Sequence, residues 1–139
     1  MRWTRSLIRV REHDVEEGRK RLGAVVAARN DVAEALERLE AERRQELQRA
    51  AEDTHALFAL PAWRAGWDAR RAELLARDHR LALAEEGCRA ALSEVYTDLK
   101  KVELVAAGHA RTAARREAQR ETAALDELAL RAAARKEAP

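Results

Sequence analysis

The side chains that could bind a metal or attack a substrate are few and scattered along the chain. There are four histidines, His13, His55, His79 and His109, and one cysteine, Cys88. A metal site needs convergent ligands, and no histidine has another histidine or a cysteine at ligand spacing on the same helical face. A nucleophilic cysteine needs a nearby base and an electropositive pocket. We therefore expect no metal site, with His109 at the edge of a helical seam and Cys88 as a small packing residue.

Other catalytic patterns are also missing from the sequence. The five glycines are isolated, and no G-x-x-x-x-G-K phosphate loop occurs. The many acidic residues alternate with basic ones, which is typical of solvated helical faces without a cleft to perturb them. The sequence thus predicts no catalytic residue, no cofactor and no enzyme.

Composition favours long helices over a globular core. Of 139 residues, 37% are charged and only 4% are aromatic. The net charge of +2 argues against a nucleic-acid surface, although four arginines precede the first acidic residue, Glu12. A single cysteine excludes an intramolecular disulfide and suits a cytoplasmic location. No apolar run is long enough to insert into a membrane.

Two groups of residues stand out as candidate binding surfaces. Phe58, Trp63 and Trp67 concentrate aromatic side chains in one short stretch, either as a binding surface or as a plug for the end of a hairpin. Leu125, Leu128 and Ala132 share one face of a C-terminal helix.

The elements that position these groups are set by Pro61, the only internal proline. Proline interrupts a helix but is well tolerated in its first turn. We therefore predict an all-α fold, a long antiparallel two-helix coiled-coil hairpin with a C-terminal helical overhang. A single coiled-coil domain spans residues 1–139, with helix 1 at about 4–53, the tip at about 54–61 and helix 2 at about 62–136.

Heptad repeats support this hairpin on both predicted helices. In helix 1 one series has these members: Ile8, Val15, Leu22, Arg29, Leu36, Arg43, Ala50 and Leu57. Its companion has these: Arg11, Gly18, Val25, Val32, Leu39, Glu46 and Asp53. In helix 2 the two series are Leu74, Leu81, Cys88, Val95, Val102 and His109, and Leu92, Leu99, Ala106 and Ala113.

A fold about residue 60 predicts which seam residues meet. It places Val32 near Cys88 and Val25 near Val95. It also leaves roughly 20 C-terminal residues without a partner helix, an overhang of about 30 Å. Because the overhang carries an apolar face that nothing in this chain covers, we expect another protein to bind it.

The C-terminal sequence LDELALRAAARK, residues 125–136, resembles the C-terminus of the flagellar export protein FliJ family. An N-terminal segment in that family has the form L-x-x-V-R-x-x-E. Here Leu7, Val10 and Arg11 match its first part and Glu12 follows directly, and the chain length is typical. The resemblance implies an antiparallel coiled coil similar to the stalk subunit of rotary ATPases. It also implies a non-enzymatic stalk that links the hexameric export ATPase to the export-gate membrane protein, with export chaperones as further partners.

The resemblance assigns candidate contacts at both ends of the hairpin. The predicted contacts with the ATPase ring are Leu7, Val10, Arg11, Leu125, Asp126, Glu127, Leu128, Arg131, Ala132, Ala133 and Arg135. The predicted contacts with the export gate are Trp63, Trp67 and Leu74. The first-helix part of the gate patch is richer in aromatic residues elsewhere in the family than residues 42–47 are here.

The hypothesis is therefore a component of flagellar type III protein export that is monomeric alone. It would be cytoplasmic and peripherally associated with the inner membrane through the export apparatus. The alternatives are the equivalent stalk of a virulence-type secretion injectisome, or a homo-oligomeric coiled-coil scaffold or adaptor. Nucleic-acid binding through the N-terminal arginines is a third possibility, disfavoured by the balanced charge after residue 11.

Overall fold

Two long helices make up almost all of the chain. In the computed structural model, which describes residues 2–137, α1 spans Arg2–Glu52 and α2 spans Thr54–Glu137. No strand occurs among these residues, and Asp53 is the one residue between the helices. Alanine, leucine, glutamate and arginine, which dominate both segments, are strong helix formers. The predicted all-α two-helix hairpin is confirmed.

The turn lies at Asp53, ahead of the predicted tip at residues 54–61, which are helical. The Asp53 carboxylate accepts a hydrogen bond from the His55 backbone amide at 3.0 Å. This bond caps α2, because it satisfies one of the first amides of the helix, which have no partner within it. The Leu57 amide then donates to the Asp53 carbonyl at 3.0 Å, which continues the helical pattern. Helix 2 therefore begins at Thr54, and the prediction of about residue 62 was wrong.

Pro61 lies inside α2 rather than in its first turn. It removes the amide that would donate to the Leu57 carbonyl, at a cost of about 3 kcal/mol in a helix interior. Leu57 and Pro61 are both exposed, so water can bind the carbonyl that the proline leaves without a donor. Proline usually signals a helix break, but at this exposed site the helix continues through Pro61.

The chain forms two compact units, and both helices contribute to each. One unit is Asp14–Val95, and the other combines Met1–His13 with Tyr96–Pro139. In the first unit the buried side chains include Val15, Val32 and Leu39 from α1 and Trp67 from α2. In the second, the Trp3 and His109 rings meet edge to face with centroids 6.0 Å apart.

The heptad pattern identifies the seam of α1. Every predicted seam residue from Ile8 to Ala50 is buried or half-buried, including Arg29, Arg43 and Glu46. In α2 the predicted residues from Leu74 to His109 are half-buried, whereas Ala113 is exposed. The period of the sequence thus predicts which faces of the two helices pack.

The register of the two helices differs from the prediction. A methyl group built on Gly18 would lie 3.0 Å from Leu92 Cδ1, so Gly18 packs against Leu92. The predicted fold about residue 60 would have placed Gly18 about ten residues further along α2, roughly 15 Å away. Because the turn comes earlier, residues 111–137 are all exposed, a longer segment than the predicted overhang.

Candidate functional site

The C-terminal part of α2 exposes its apolar side chains to solvent. Leu125, Leu128 and Leu130 are 66%, 59% and 71% exposed. Leu125 and Leu128 lie one turn apart on the same face as Ala132. At 1.5 Å per residue, the exposed residues 111–137 form about 40 Å of helix. This segment presents an apolar stripe that no described residue of the chain covers.

The charged residues of the same segment support the helix. The Arg131 guanidinium lies 2.8 Å from the Glu127 carboxylate, four residues earlier on the helix. An exposed pair of this kind contributes only about 0.3–0.5 kcal/mol. Asp126 and Arg135 are also exposed, as are Ala132 and Ala133. All the predicted C-terminal contact residues are therefore accessible to a partner.

The predicted N-terminal contacts occupy a different place. Leu7 and Arg11 are half-buried, and Val10 is 52% exposed. The contact between Trp3 and His109 shows where the start of α1 meets α2. Leu125 lies 16 residues beyond His109, about 24 Å along the helix. The N-terminal and C-terminal candidates therefore do not converge on one surface patch.

Trp67, a predicted gate contact, is part of the hairpin packing. It is only 6% exposed, and its indole N–H donates to the Leu39 carbonyl of α1 at 2.7 Å. The Arg43 guanidinium lies 5.8 Å from the centre of the indole ring, within range of a cation–π interaction. This arrangement fits the plug interpretation of the tip aromatics for Trp67.

The other two predicted gate residues are more accessible. Trp63 and Leu74 are half-buried. Leu74 lines an open cleft between the helices, together with Leu39, Arg38 and Arg77. These two side chains can contribute to a contact without leaving their places in the hairpin.

Two exposed apolar residues lie just after the turn, and the sequence pattern singles out only Phe58 of the two. Phe58 is 81% exposed and Leu57 is 55% exposed. The heptad series of helix 1 predicts a seam position for Leu57. The Asp53 cap ends that helix first, so Leu57 belongs to α2 and faces solvent. An aspartate followed by helix-forming residues is a recognisable cap signal.

A charged cluster on the seam was also missed. Arg29 contacts Asp78 at 3.1 Å and Glu85 at 2.6 Å, and Glu85 contacts Arg89 at 2.9 Å. The hydrogen bonds to Asp78 and then Glu85 raise the pKa of Arg29 above its ordinary value, so the guanidinium stays charged. Asp78 and Glu85 lie two heptads and one heptad before Leu92, so extending that series backwards would have found them.

No catalytic constellation emerges among the described residues. Residues 2–137 contain no group of three or more histidines, cysteines or acids that could hold a metal ion. The hydrogen bond from Arg43 lowers the pKa of the Glu40 carboxyl group. That pair lies within one helix and is part of no enclosed pocket.

Similarity to known proteins decides the family. The chain is 36% identical over 133 residues to the flagellar FliJ protein of Caulobacter vibrioides strain NA1000, and the match covers 96% of both chains. The flagellar FliJ protein of a second strain of the species, ATCC 19089, matches equally well. The chain belongs to the flagellar FliJ family. No family model matches it, and no solved structure matches it significantly.

The FliJ assignment confirms the resemblance found at the C-terminal motif, and the match extends over almost the whole chain. Membership makes this protein a flagellar export component and favours the flagellar over the injectisome hypothesis. Between residues 2 and 137, neither helix contains a stretch apolar and long enough to cross a membrane.

Proposed function

We propose that this FliJ-family chain is a non-enzymatic central stalk that couples the hexameric flagellar export ATPase to the export gate. The observation that supports this proposal is the exposed apolar stripe of residues 111–137. An apolar stripe on a helix gains stability when it is covered, and a ring pore would surround it on all sides. Family membership makes a partner within the export apparatus the natural choice.

The ring contact is centred on Leu125 and Leu128. Both side chains are more than half exposed, so binding can bury most of each. Complete burial of a leucine is worth about 1.5–3 kcal/mol. Glu127 and Arg131, which neutralise one another, border the stripe and can exchange their exposed ion pair for contacts with the ring. Val10 and the half-buried Leu7 and Arg11 add a second, weaker contact region near the start of α1.

The mechanism follows from a mismatch of symmetry. One helix has a single apolar face, whereas a hexameric ring presents six equivalent surfaces. The stalk therefore contacts the six subunits unequally and favours different nucleotide states in different subunits. A ligand that binds one state better shifts the ring towards that state, which promotes assembly and turnover.

The opposite end of the hairpin is proposed to contact the export gate, which would hold the cytoplasmic protein at the inner membrane. Trp63 and Leu74 remain in this proposal, together with the exposed pair Leu57 and Phe58 beside the turn. Trp67 is assigned to the hairpin itself because it is buried and hydrogen-bonded to α1. Export chaperones are further proposed partners.

The ring contact is tested by ATP hydrolysis. Mixing the chain with its cognate export ATPase is expected to stimulate hydrolysis and to give a complex on size exclusion. The double variant Leu125→Asp and Leu128→Asp should lose both effects, because each charge would have to be buried in the contact. Unchanged stimulation by this variant would refute the assignment of the stripe.

A matched control separates this effect from general helix damage. Leu75 and Leu83 are 40% and 57% exposed on α2 and lie outside the proposed ring contact. The variant Leu75→Asp and Leu83→Asp introduces the same charges and should stimulate the ATPase normally. Light scattering of the wild-type chain alone should give the 15.7 kDa mass of a monomer. A stable dimer would instead support the scaffold alternative.

A further inference from the structure

The Arg29 cluster occupies positions that the coiled-coil pattern reserves for apolar residues. Arg29 lies on the seam of α1, and Asp78 and Glu85 lie on the seam of α2. The Arg29 guanidinium bonds both acids, to Asp78 at 3.1 and 3.3 Å and to Glu85 at 2.6 Å. Glu85 is only 8% exposed, so its charge depends for stabilisation on Arg29 and on Arg89, which lies 2.9 Å away.

This cluster distinguishes registers that the apolar residues do not. Because the seam repeats every seven residues, moving α2 by one heptad past α1 again places apolar residues opposite one another. The charges do not repeat in that way. A shift of one heptad would move Glu85 to the place of Asp78 and Leu92 to the place of Glu85, so Arg29 would keep one acid and lose the other. Fixing the register is the best-attested role of buried polar groups in coiled coils.

The connection between the helices is also compatible with two registers. A shift of one heptad requires about seven more residues in the connection, which are available at 54–60. Unwinding them would place Pro61 in the first turn of α2, where proline is favoured. The observed turn at Asp53 keeps Pro61 inside the helix instead. The proline therefore favours one register, and the Arg29 cluster favours the other.

We propose that the hairpin has two registers one heptad apart and that the Arg29–Asp78–Glu85 cluster holds it in the observed one. The slipped register would carry Trp3 one heptad along α2 from His109. It would thereby shorten the exposed C-terminal segment by about seven residues, roughly 10 Å of helix. The inference goes beyond the proposed stalk function, because it concerns the chain alone and needs no partner.

Disulfide formation reports the register directly. A Cβ built on Gly18 lies 3.9 Å from Leu92 Cβ, which is the separation found in disulfides. The pair Gly18→Cys and Leu92→Cys therefore reports the observed register. Val25 is one heptad after Gly18, so Val25→Cys with Leu92→Cys reports the slipped register and lies about 10 Å too far apart in the observed one. Both pairs are placed in a Cys88→Ala background, which removes the native thiol.

The test compares the intact cluster with the triple variant Arg29→Leu, Asp78→Leu and Glu85→Leu. With the intact cluster, the 18–92 disulfide should form at least about tenfold faster than the 25–92 disulfide. The triple variant has apolar residues at all three positions of the cluster and should remain helical by circular dichroism. In that variant the 25–92 disulfide should become at least as fast as the 18–92 disulfide. Adding Pro61→Ala to the triple variant should restore the preference for 18–92.

Two controls make the result decisive. Arg120 and Glu117 form an exposed pair within α2, and replacing both by leucine should leave the disulfide preference unchanged. If the helical triple variant still forms only the 18–92 disulfide, the cluster does not select the register and the proposal fails. Failure of both disulfides to form in that variant would also contradict it, because neither register would then be populated.

Discussion

At the scale of single residues, Trp67 shows that a residue type enriched at binding hot spots can instead stabilise the fold. Its ring is buried, its N–H bonds a backbone carbonyl of the other helix, and Arg43 lies within cation–π range of its face. Each contact joins α2 to α1 in the region where the seam of α1 contains Arg43 and Glu46 in place of apolar residues. Trp67 adds the packing between the helices that Arg43 and Glu46 do not provide.

The variant Trp67→Phe tests this role. It keeps a ring but removes the N–H donor, so the free energy of unfolding should fall by about 1–2 kcal/mol. Urea titration followed by helical circular dichroism measures the change. Trp63→Phe is the matched control, because Trp63 is half-buried and its indole N–H donates to no residue within 2–137. This variant should lose less than about 1 kcal/mol. An unchanged midpoint for Trp67→Phe would mean that the indole N–H bond to Leu39 does not stabilise the hairpin.

At the scale of the helices, the seven-residue period was enough to predict which faces pack, whereas register and turn were not predictable from that period. Apolar residues repeat every heptad, so the apolar pattern does not distinguish helix pairings that are one heptad apart. The difference comes from particular polar contacts, such as Arg29 with Asp78 and the Asp53 cap of α2. The heptad pattern places Asp53 on the seam, and Pro61 is the stronger signal for a helix break. The turn was therefore predicted too far along the chain.

The exposure of the C-terminal residues was predicted more completely than the turn. Leu125 and Leu128 are exposed because α1 begins opposite the region of His109, and no later part of α2 has a partner helix. That conclusion needs only unequal helix lengths and survives an error of several residues in register. The accessibility of Trp67 depends on contacts across the seam, which no single-helix pattern can show.

The variant Pro61→Ala tests the continuous helix. Alanine restores the amide donor to the Leu57 carbonyl and removes the clash of the proline ring, so the free energy of unfolding should rise by about 1–3 kcal/mol. Thr54→Pro is the matched control, because Thr54 is the first residue of α2 and proline is tolerated there. If Pro61 instead lay in the first turn of a later helix, the alanine variant would be no more stable than wild type.

At the scale of the whole molecule, the two ends of α2 have different roles. Residues up to about 109 share a seam with α1, and their charged and aromatic residues position the helices. Residues 111–137 are exposed throughout and add no packing to the hairpin. Most helical stability in proteins comes from packing of an apolar face, so a partner that covers this segment would stabilise it further.

Removing residues 118–139 should therefore separate stability from partner binding. The three tryptophans all lie at or before residue 67, so their fluorescence reports on the packed helices and not on the removed segment. The urea midpoint should stay close to that of wild type, with the free energy of unfolding within about 0.5 kcal/mol, because residues 118–137 are all exposed. Helical circular dichroism should fall roughly in proportion to the residues removed, and stimulation of the export ATPase should disappear.

Deleting residues 2–8 is the opposite control for that truncation. It removes Thr4, which is 3% exposed, and the Trp3 contact with His109, so it should lower the urea midpoint. If the C-terminal truncation lowered the midpoint as much as this deletion does, the last part of α2 would have to pack against the hairpin in solution. A truncated chain of unchanged stability that still stimulated the ATPase would instead place the ring contact elsewhere, with Leu7, Val10 and Arg11 as the residues to change next.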